Sequence, residues 1–245
     1  MLELNKIHHG DCLELMPKIP DKTVDMILCD LPYGVTQNHW DSLISLDKLW
    51  NEYKRIIKEN GAIILTAQDK FSAKLMLSNE KMHKYNLIWD KKLSSGFLNA
   101  NRMPLRIHED ILVFYDKLLT YNPQKVVGEK NHSKGKMKSE INNNYGKYGK
   151  QDNTNVLGNM KHPTSIIPIQ KTHPSKSIHP TEKPVALFEY LIKSYSNEGN
   201  LVLDNCIGAG TTAVACQRTN RKFIGIEKEL KYINIANKRL QQTIL

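Results

Sequence analysis

The sequence predicts an α/β protein built on a doubly wound, mostly parallel β-sheet, with one irregular segment inserted into it. Three observations support this prediction. Short apolar runs alternate with segments of helical periodicity at both ends of the chain. A glycine-rich turn, IGAG, follows one apolar run and precedes a helical segment. Between about 116 and 178 the periodicity is lost. Strands that alternate with helices pair in parallel and carry helices on both faces of the sheet.

Four apolar runs in the first part of the chain have the length and the β-branched and aromatic content of strands. Residues 43–58 place apolar side chains at helical spacing and predict a helix. The dipeptide Asn60-Gly61 is typical of a turn and is expected to separate this helix from the next strand. The four strands are VDMILCD (24–30), AIILTA (62–67), NLIWD (86–90) and DILVFYD (110–116).

The last part of the chain repeats the alternation. Pro184 suits the first turn of a helix, because its missing N–H has no partner to lose there. The IGAG turn lies between an apolar strand and a helix that begins near Thr211. The elements predicted here are helix 185–195, strand 201–204, helix 211–218, strand 222–227 and helix 229–240.

Positive charge is concentrated in the irregular segment. The chain has a formal net charge of +10, and residues 115–178 hold 11 Lys against 4 acidic residues. Such an excess suits a surface that follows phosphates, because each neutralised phosphate releases counterions. A solvated insertion without a nucleic-acid partner explains the same charge. Charge alone leaves both interpretations open.

Cysteine usage and hydropathy indicate a cytoplasmic protein. The four cysteines lack the C-x-x-C spacing of zinc and redox sites, which predicts free buried thiols, no disulfide framework and no metal site. The longest apolar runs are far shorter than the about 20 residues of a membrane-spanning helix. The first ten residues, MLELNKIHHG, lack the form of a secretory signal. We therefore expect no membrane partner.

The turn after LVLD is a candidate nucleoside-cofactor site. Asp204 ends the strand, Gly208 and Gly210 permit a tight turn, and Thr211 opens the helix. Such a turn presents backbone N–H groups to a ligand at the carboxyl edge of a sheet. Glu227, at the end of the next strand, can bind ribose hydroxyls. GAGTTA also satisfies G-x-G-x-x-A, so a nicotinamide cofactor is an alternative.

A second candidate site, DLPYG (30–34), follows the first long strand. The carboxylate of Asp30 and the neighbouring backbone carbonyl of Leu31 can accept the two hydrogens of an amino group, which directs the nitrogen lone pair at an electrophile. Pro32 stiffens the turn, and Tyr33 offers a face on which a planar base can stack. A turn with a core tyrosine is the alternative explanation.

Together these motifs resemble the amino-group DNA methyltransferases of the β group, the N6-adenine and N4-cytosine DNA methylase family. DLPY resembles the catalytic [DNS]-P-P-[YFW] motif, and DNCIGAGTT (204–212) resembles the cofactor motif D-P-F-x-G-x-G-T-T, in the order of that group. GDCLELM (10–16), NRMPLRIHEDILVFYDK (101–117) and HPTEKP (179–184) resemble three further family segments. Leu31 replaces a proline of the motif, and Asn205-Cys206 replaces Pro-Phe.

The resemblance implies a Rossmann-like fold of the S-adenosylmethionine-dependent methyltransferase type. It also implies methyl transfer to N6 of a flipped-out adenine in DNA by direct in-line attack. The family's N4-cytosine enzymes usually begin the motif with Ser, so Asp30 favours adenine; N4-cytosine is the alternative, and a nicotinamide-dependent oxidoreductase a more distant one. The implied catalytic residues are Asp30, Leu31, Pro32 and Tyr33. The implied cofactor-binding residues are Asp11, Cys12, Thr181, Lys183, Asp204, Cys206, Gly208, Gly210, Thr211 and Glu227.

The domain prediction follows from the span of the resemblance. Residues 1–115 and 179–245 together are expected to form one catalytic domain, and residues 116–178 a target-recognition insertion. The expected partner is double-stranded DNA. A cognate restriction endonuclease is a candidate partner, and a homodimer is a candidate assembly.

Overall fold

Strands and helices alternate along the chain in the computed structural model, which describes residues 1–33, 44–128, 159–172 and 182–243. Its strands are β1 (Lys6–His9), β2 (Val24–Cys29), β3 (Ile57–Ala67), β4 (His83–Ser95), β5 (Arg106–Phe114), β6 (Val126–Val127), β7 (Met160–Lys161), β8 (Ile166–Pro168), β9 (Leu201–Asp204) and β10 (Lys222–Glu227). Its helices are α1 (Cys12–Leu15), α2 (Leu46–Ile56), α3 (Asp69–Ser78), α4 (Val185–Tyr195), α5 (Thr211–Arg218) and α6 (Leu230–Thr243).

Eight strands form one sheet in the order β1-β10-β9-β2-β3-β5-β4-β8. The five strands β1-β10-β9-β2-β3, in that sheet order, pair in parallel. Strand β5 is antiparallel to both β3 and β4, and β8 is parallel to β4. Within this sheet β5 alone therefore runs against the others. The carboxyl ends of the parallel strands and the beginning of β5 lie at the same edge.

Both faces of the sheet are covered by helices. Side chains of successive strand residues point to opposite faces, and β2 shows this clearly. Ile27 and Cys29 pack into a core with α2 and α3, whereas Met26 and Leu28 pack into a second core with α4 and α5. The predicted doubly wound α/β fold class is confirmed.

The predicted boundary between helix 43–58 and the next strand is wrong. The helix expected over 43–58 ends at Ile56, and β3 begins at Ile57 and runs through the dipeptide Asn60-Gly61. The reason is an irregularity in the pairing of β2 with β3. Val24 pairs with Ile57 and Met26 pairs with Ala62, so the residues of β3 between these two pairs form a bulge. Glycine is required at position 61 in this bulge, because a Cβ there would lie only 2.9 Å from the carbonyl oxygen of Asp25.

The chain divides into two compact units, Met1–Asn122 with Thr164–Leu245, and Pro123–Pro163. The second unit is narrower than the predicted insertion 116–178, because β8 joins the main sheet. Within its described residues, the second unit contains the antiparallel pair of β6 and β7. No helix in the described parts of the chain is long and apolar enough to cross a membrane.

Candidate active site

A cavity of about 390 Å³ opens at the carboxyl edge of the sheet in the first unit. Its size suits a small-molecule ligand. The structure brings nearly all of the predicted site residues to it. Thr181 lies outside the described residues, and Gly210 is not among the residues that line the cavity. The predicted residues that line the cavity are Asp11, Cys12, Asp30, Leu31, Pro32, Tyr33, Lys183, Asp204, Cys206, Gly208, Thr211 and Glu227.

Asp30 follows β2 directly and is held by three donors. Its Oδ1 accepts hydrogen bonds from the Tyr33 hydroxyl at 2.8 Å and from the Thr66 hydroxyl. Its Oδ2 lies 2.7 Å from the Lys183 ammonium. The side chain of Asp30 keeps 26% of its surface exposed, whereas that of Lys183 keeps 7%. The carboxylate is thus fixed in orientation but remains open to the cavity.

Leu31 and Tyr33 complete the turn after β2. The Leu31 side chain is buried in the core with α2 and α3, so the leucine that replaces the family's proline contributes packing. The Tyr33 ring packs against Phe71 at a centroid distance of 5.1 Å, and the Lys183 ammonium lies 5.6 Å from the ring centroid. Burial and the nearby Asp30 carboxylate raise the pKa of Tyr33 well above its ordinary value, so its hydroxyl stays a donor.

Lys183 belongs to a buried chain of alternating charges. Its Nζ lies 3.3 Å from Oε2 of Glu109, and Lys91 Nζ lies 3.3 Å from Oε1 of the same carboxylate. Burial alone would lower the pKa of Lys183, but the carboxylates of Asp30 and Glu109 raise it well above its ordinary value. Lys183 was predicted to bind the cofactor, and the structure places its ammonium 2.7 Å from the carboxylate of Asp30.

The neighbouring glycine turn forms the other side of the cavity. The N–H of Gly208 donates to Glu227 Oε2 at 2.9 Å, and the N–H of Glu229 donates to Oε1 at 2.8 Å. A Cβ on Gly208 would point into open space, whereas a Cβ on Gly210 would lie 2.7 Å from Cβ of Ala236. Gly208 therefore leaves room beside the cavity, and Gly210 permits close packing of the turn on α6.

Asp204 is buried beneath this turn. Its carboxylate accepts hydrogen bonds from the Thr212 hydroxyl and from the N–H of Cys206 at 3.1 Å. Burial raises the pKa of Asp204 to about 7 despite these bonds. Hydrogen bonding to Cys206, together with burial, raises the pKa of Cys12, and burial raises that of Cys29 to about 12. A raised pKa favours the protonated thiol at neutral pH, and a protonated thiol is a poor nucleophile.

Two polar side chains, Asp11 and Arg239, fix the loops around the cavity. Asp11 accepts a hydrogen bond from the N–H of Leu13 at 2.7 Å and so caps α1 while it lines the cavity. Arg239 of α6 donates to the carbonyl oxygen of Ala209 at 2.7 Å and lies 2.6 Å from Oε1 of Glu182. This arginine ties the glycine turn to the segment that carries Lys183.

Thr66, Lys91 and the role of Glu109 were not predicted from the sequence. Cys29 of β2 pairs with Leu65 of β3, so the next residue along each strand places Asp30 beside Thr66. Both side chains lie on the same face of the sheet as Met26 and Leu28. Glu109 and Lys91 point to that same face from β5 and β4, because they alternate with the same core residues. A polar residue near the end of the apolar strand AIILTA was the available signal for Thr66.

Comparisons with known proteins identify the family of the chain. A family described as DNA methylase matches residues 24–238. The chain belongs to this DNA methylase family. The Type II methyltransferase M1.MboII of Moraxella bovis is 30% identical to the methylase over 99% of this chain and 98% of the relative. DNA adenine methyltransferase YhdJ of Escherichia coli (strain K12) is 28% identical over 97% of this chain and 83% of the relative.

Solved structures show that the methylase shares its fold with DNA methyltransferases. The M1.HpyAVI–SAM complex superposes with a TM-score of 0.63 at 24% identity, over 96% of this chain and 99% of that chain. The cytosine-N4-specific PvuII DNA methyltransferase gives a TM-score of 0.67 at 13% identity, over 97% and 90% of the two chains. The predicted family is confirmed, and the nicotinamide-dependent oxidoreductase has no support from these relatives.

Proposed function

We propose that this methylase transfers a methyl group from S-adenosylmethionine to the N6 amino nitrogen of adenine in DNA. The observation that carries the proposal is the Asp30 carboxylate, which is oriented by Tyr33 and Thr66 and lines the same cavity as the glycine turn. A fixed acceptor beside a cofactor pocket suits an amino group that must be aimed at an electrophile.

The cavity walls fit S-adenosylmethionine. The glycine turn leaves open space beside Gly208, and the Glu227 carboxylate stands at the end of the adjacent strand, where ribose hydroxyls can donate to it. Asp204 and Asp11 add further acceptors for the cofactor's cationic and amino groups, and Ile207 adds apolar surface. When bound, S-adenosylmethionine supplies a methyl group on a positively charged sulfur.

The residues of the catalytic turn prepare the nitrogen for attack. Oδ2 of Asp30 and the Leu31 carbonyl accept the two amino hydrogens, while the hydroxyls of Tyr33 and Thr66 keep the carboxylate from rotating. The Tyr33 ring stacks on the base. After transfer, Asp30 Oδ2 can accept the surplus proton from nitrogen. Most of the rate gain comes from positioning and electrostatics.

A base inside a duplex cannot reach this cavity, so the target must be flipped out of the stack. We propose adenine because the catalytic motif begins with Asp30 rather than the serine that is usual in N4-cytosine enzymes of the family. The name of the relative YhdJ, a DNA adenine methyltransferase, agrees with this choice.

Recognition of the target sequence is assigned to the insertion. Residues 116–178 hold 11 Lys against 4 acidic residues and are therefore strongly basic. Much of this range belongs to the separate unit Pro123–Pro163. Type II methyltransferases among the relatives agree with a restriction-modification context. The restriction endonuclease partner, the homodimer and the cytoplasmic location stay predictions.

Nucleoside analysis of the methylated product tests the proposed reaction. Unmethylated genomic DNA is incubated with the protein and methyl-labelled S-adenosylmethionine, then digested to nucleosides. We expect the label in N6-methyladenine. Label in N4-methylcytosine would contradict the choice of base, and absence of transfer by a folded, cofactor-binding protein would contradict the reaction. S-adenosylhomocysteine in excess serves as the inhibited control.

A further inference from the structure

The Lys183 ammonium lies beside the two groups proposed to bind the target base, the Asp30 carboxylate and the Tyr33 ring. Oδ1 of Asp30 already accepts two hydroxyl donors, so Oδ2 is the oxygen left for an amino group, and Lys183 lies on it at 2.7 Å. The same ammonium lies 5.6 Å from the centroid of the Tyr33 ring, the surface proposed for stacking. A base that binds this oxygen and stacks on this ring therefore competes with the ammonium for both groups.

Glu109 offers the ammonium a second position. Its Oε1 faces Lys91, and its Oε2 is buried and has no hydrogen-bond partner within the described residues. That oxygen lies 3.3 Å from Lys183 Nζ. A shift of about 0.5 Å would shorten this contact to the ordinary length of a charge-assisted hydrogen bond. A buried acceptor without a donor is costly and favours such a partner.

We propose that Lys183 acts as a placeholder on Asp30 in the empty site, and that Glu109 is the positioning residue that receives its ammonium when the target amino group enters. The exchange rests on the proposed amino-group transfer. It keeps the lysine charged and paired throughout, so no buried charge is left alone.

The charge balance of the four groups supports the exchange. Asp30 and Glu109 carry two negative charges, and Lys183 and Lys91 two positive ones. Methyl transfer moves positive charge from the cofactor sulfur onto the amino nitrogen. An ammonium still bound to Asp30 would oppose that charge, whereas one bound to Glu109 leaves the Asp30 carboxylate to stabilise it.

The variants E109Q, K183M and K183M/E109Q test the exchange in methyl-transfer kinetics. E109Q keeps the Lys183–Asp30 pair but weakens the alternative acceptor. We expect kcat/KM for DNA to fall by about ten- to a hundredfold, the effect of losing one hydrogen bond to a charged group. The KM for S-adenosylmethionine should change little. The melting temperature should fall, because the buried Lys91 loses the carboxylate with which it pairs. The double variant should be at least about fivefold more active than E109Q, because the competing ammonium is gone.

A structural role gives a different pattern. The exchange is overturned if E109Q is fully active, or if the double variant is no more active than E109Q. If E109Q does not fold, the variant K183M tests the exchange by itself. Removal of a competing ammonium should lower the KM for DNA, and an unchanged or raised KM overturns the exchange. K58M is the matched control, because it removes the Lys58–Asp25 ion pair near the amino ends of β2 and β3. An inactive wild type would instead contradict the proposed function.

Discussion

Two aspartates of this site, Asp30 and Asp204, differ in exposure and in hydrogen bonding because their surroundings differ. Asp30 accepts two hydroxyl donors, contacts a lysine and stays partly exposed, which suits a charged hydrogen-bond acceptor. Asp204 is 3% exposed and receives one hydroxyl and one backbone N–H. Burial therefore governs the ionisation of Asp204, and its pKa rises to about 7. Two aspartates at the ends of adjacent strands are thereby fitted to different tasks.

The raised pKa of Asp204 predicts a pH-dependent stability. In the unfolded chain this carboxyl titrates near pH 4, roughly three units lower than when folded, so its contribution is fully present below about pH 4. That contribution is lost as the pH rises to about 7, and amounts to on the order of 4 kcal/mol.

Urea unfolding of wild type and D204N between pH 4 and pH 8 measures this effect. The asparagine cannot ionise, so the free energy of unfolding of wild type should fall relative to that of D204N as the pH rises. Parallel curves for the two proteins would contradict the assignment.

At the scale of elements, the glycine turn between β9 and α5 combines two different requirements. Gly208 and Gly210 both have positive φ, at 51° and 83°. Only Gly210 is also crowded, because a Cβ would lie 2.7 Å from Cβ of Ala236 in α6. The turn therefore depends on Gly210 for packing and on Gly208 for an open cavity.

The substitution G210A should destabilise the fold through both strain and overlap. We expect a loss of about 2–4 kcal/mol in the free energy of unfolding. Gly199 is the matched control, because its φ is 78° and a Cβ added there would have no neighbouring atom within 4 Å. G199A should lose only about 1–2 kcal/mol from backbone strain. Chemical denaturation of both variants checks the order, and equal losses would show that packing against α6 is unimportant.

Several elements could be predicted from the sequence because their apolar pattern is strong. The strands at 24–30, 201–204 and 222–227 are buried on both faces and lie within one residue of their predicted limits. Several short or weakly patterned elements were not predicted. Among them are β1 (Lys6–His9), which is short and polar at an edge of the sheet, and α3 (Asp69–Ser78), which has a weak amphipathic pattern. Such elements depend on tertiary packing more than on local periodicity.

At the scale of the whole molecule, the site is assembled from both ends of the chain. β9 lies beside β2, so the turn at Asp204 stands next to the turn at Asp30 although they are far apart in sequence. The motifs could be predicted because each is local. Glu109 and Thr66 could not be assigned, since their roles depend on the order of β2, β3 and β5 and on the reversed direction of β5.

We propose that the turn after β9 binds the cofactor and that the neighbouring turn after β2 carries the catalytic aspartate. The variant D30N tests this division of roles most directly. Asparagine keeps the size of Asp30 but removes its charge. We expect calorimetry to give S-adenosylmethionine affinity within about threefold of wild type, and single-turnover methyl transfer to DNA to fall by at least about a hundredfold. Transfer by D30N at the wild-type rate would contradict the proposed mechanism, and so would loss of cofactor binding in step with activity.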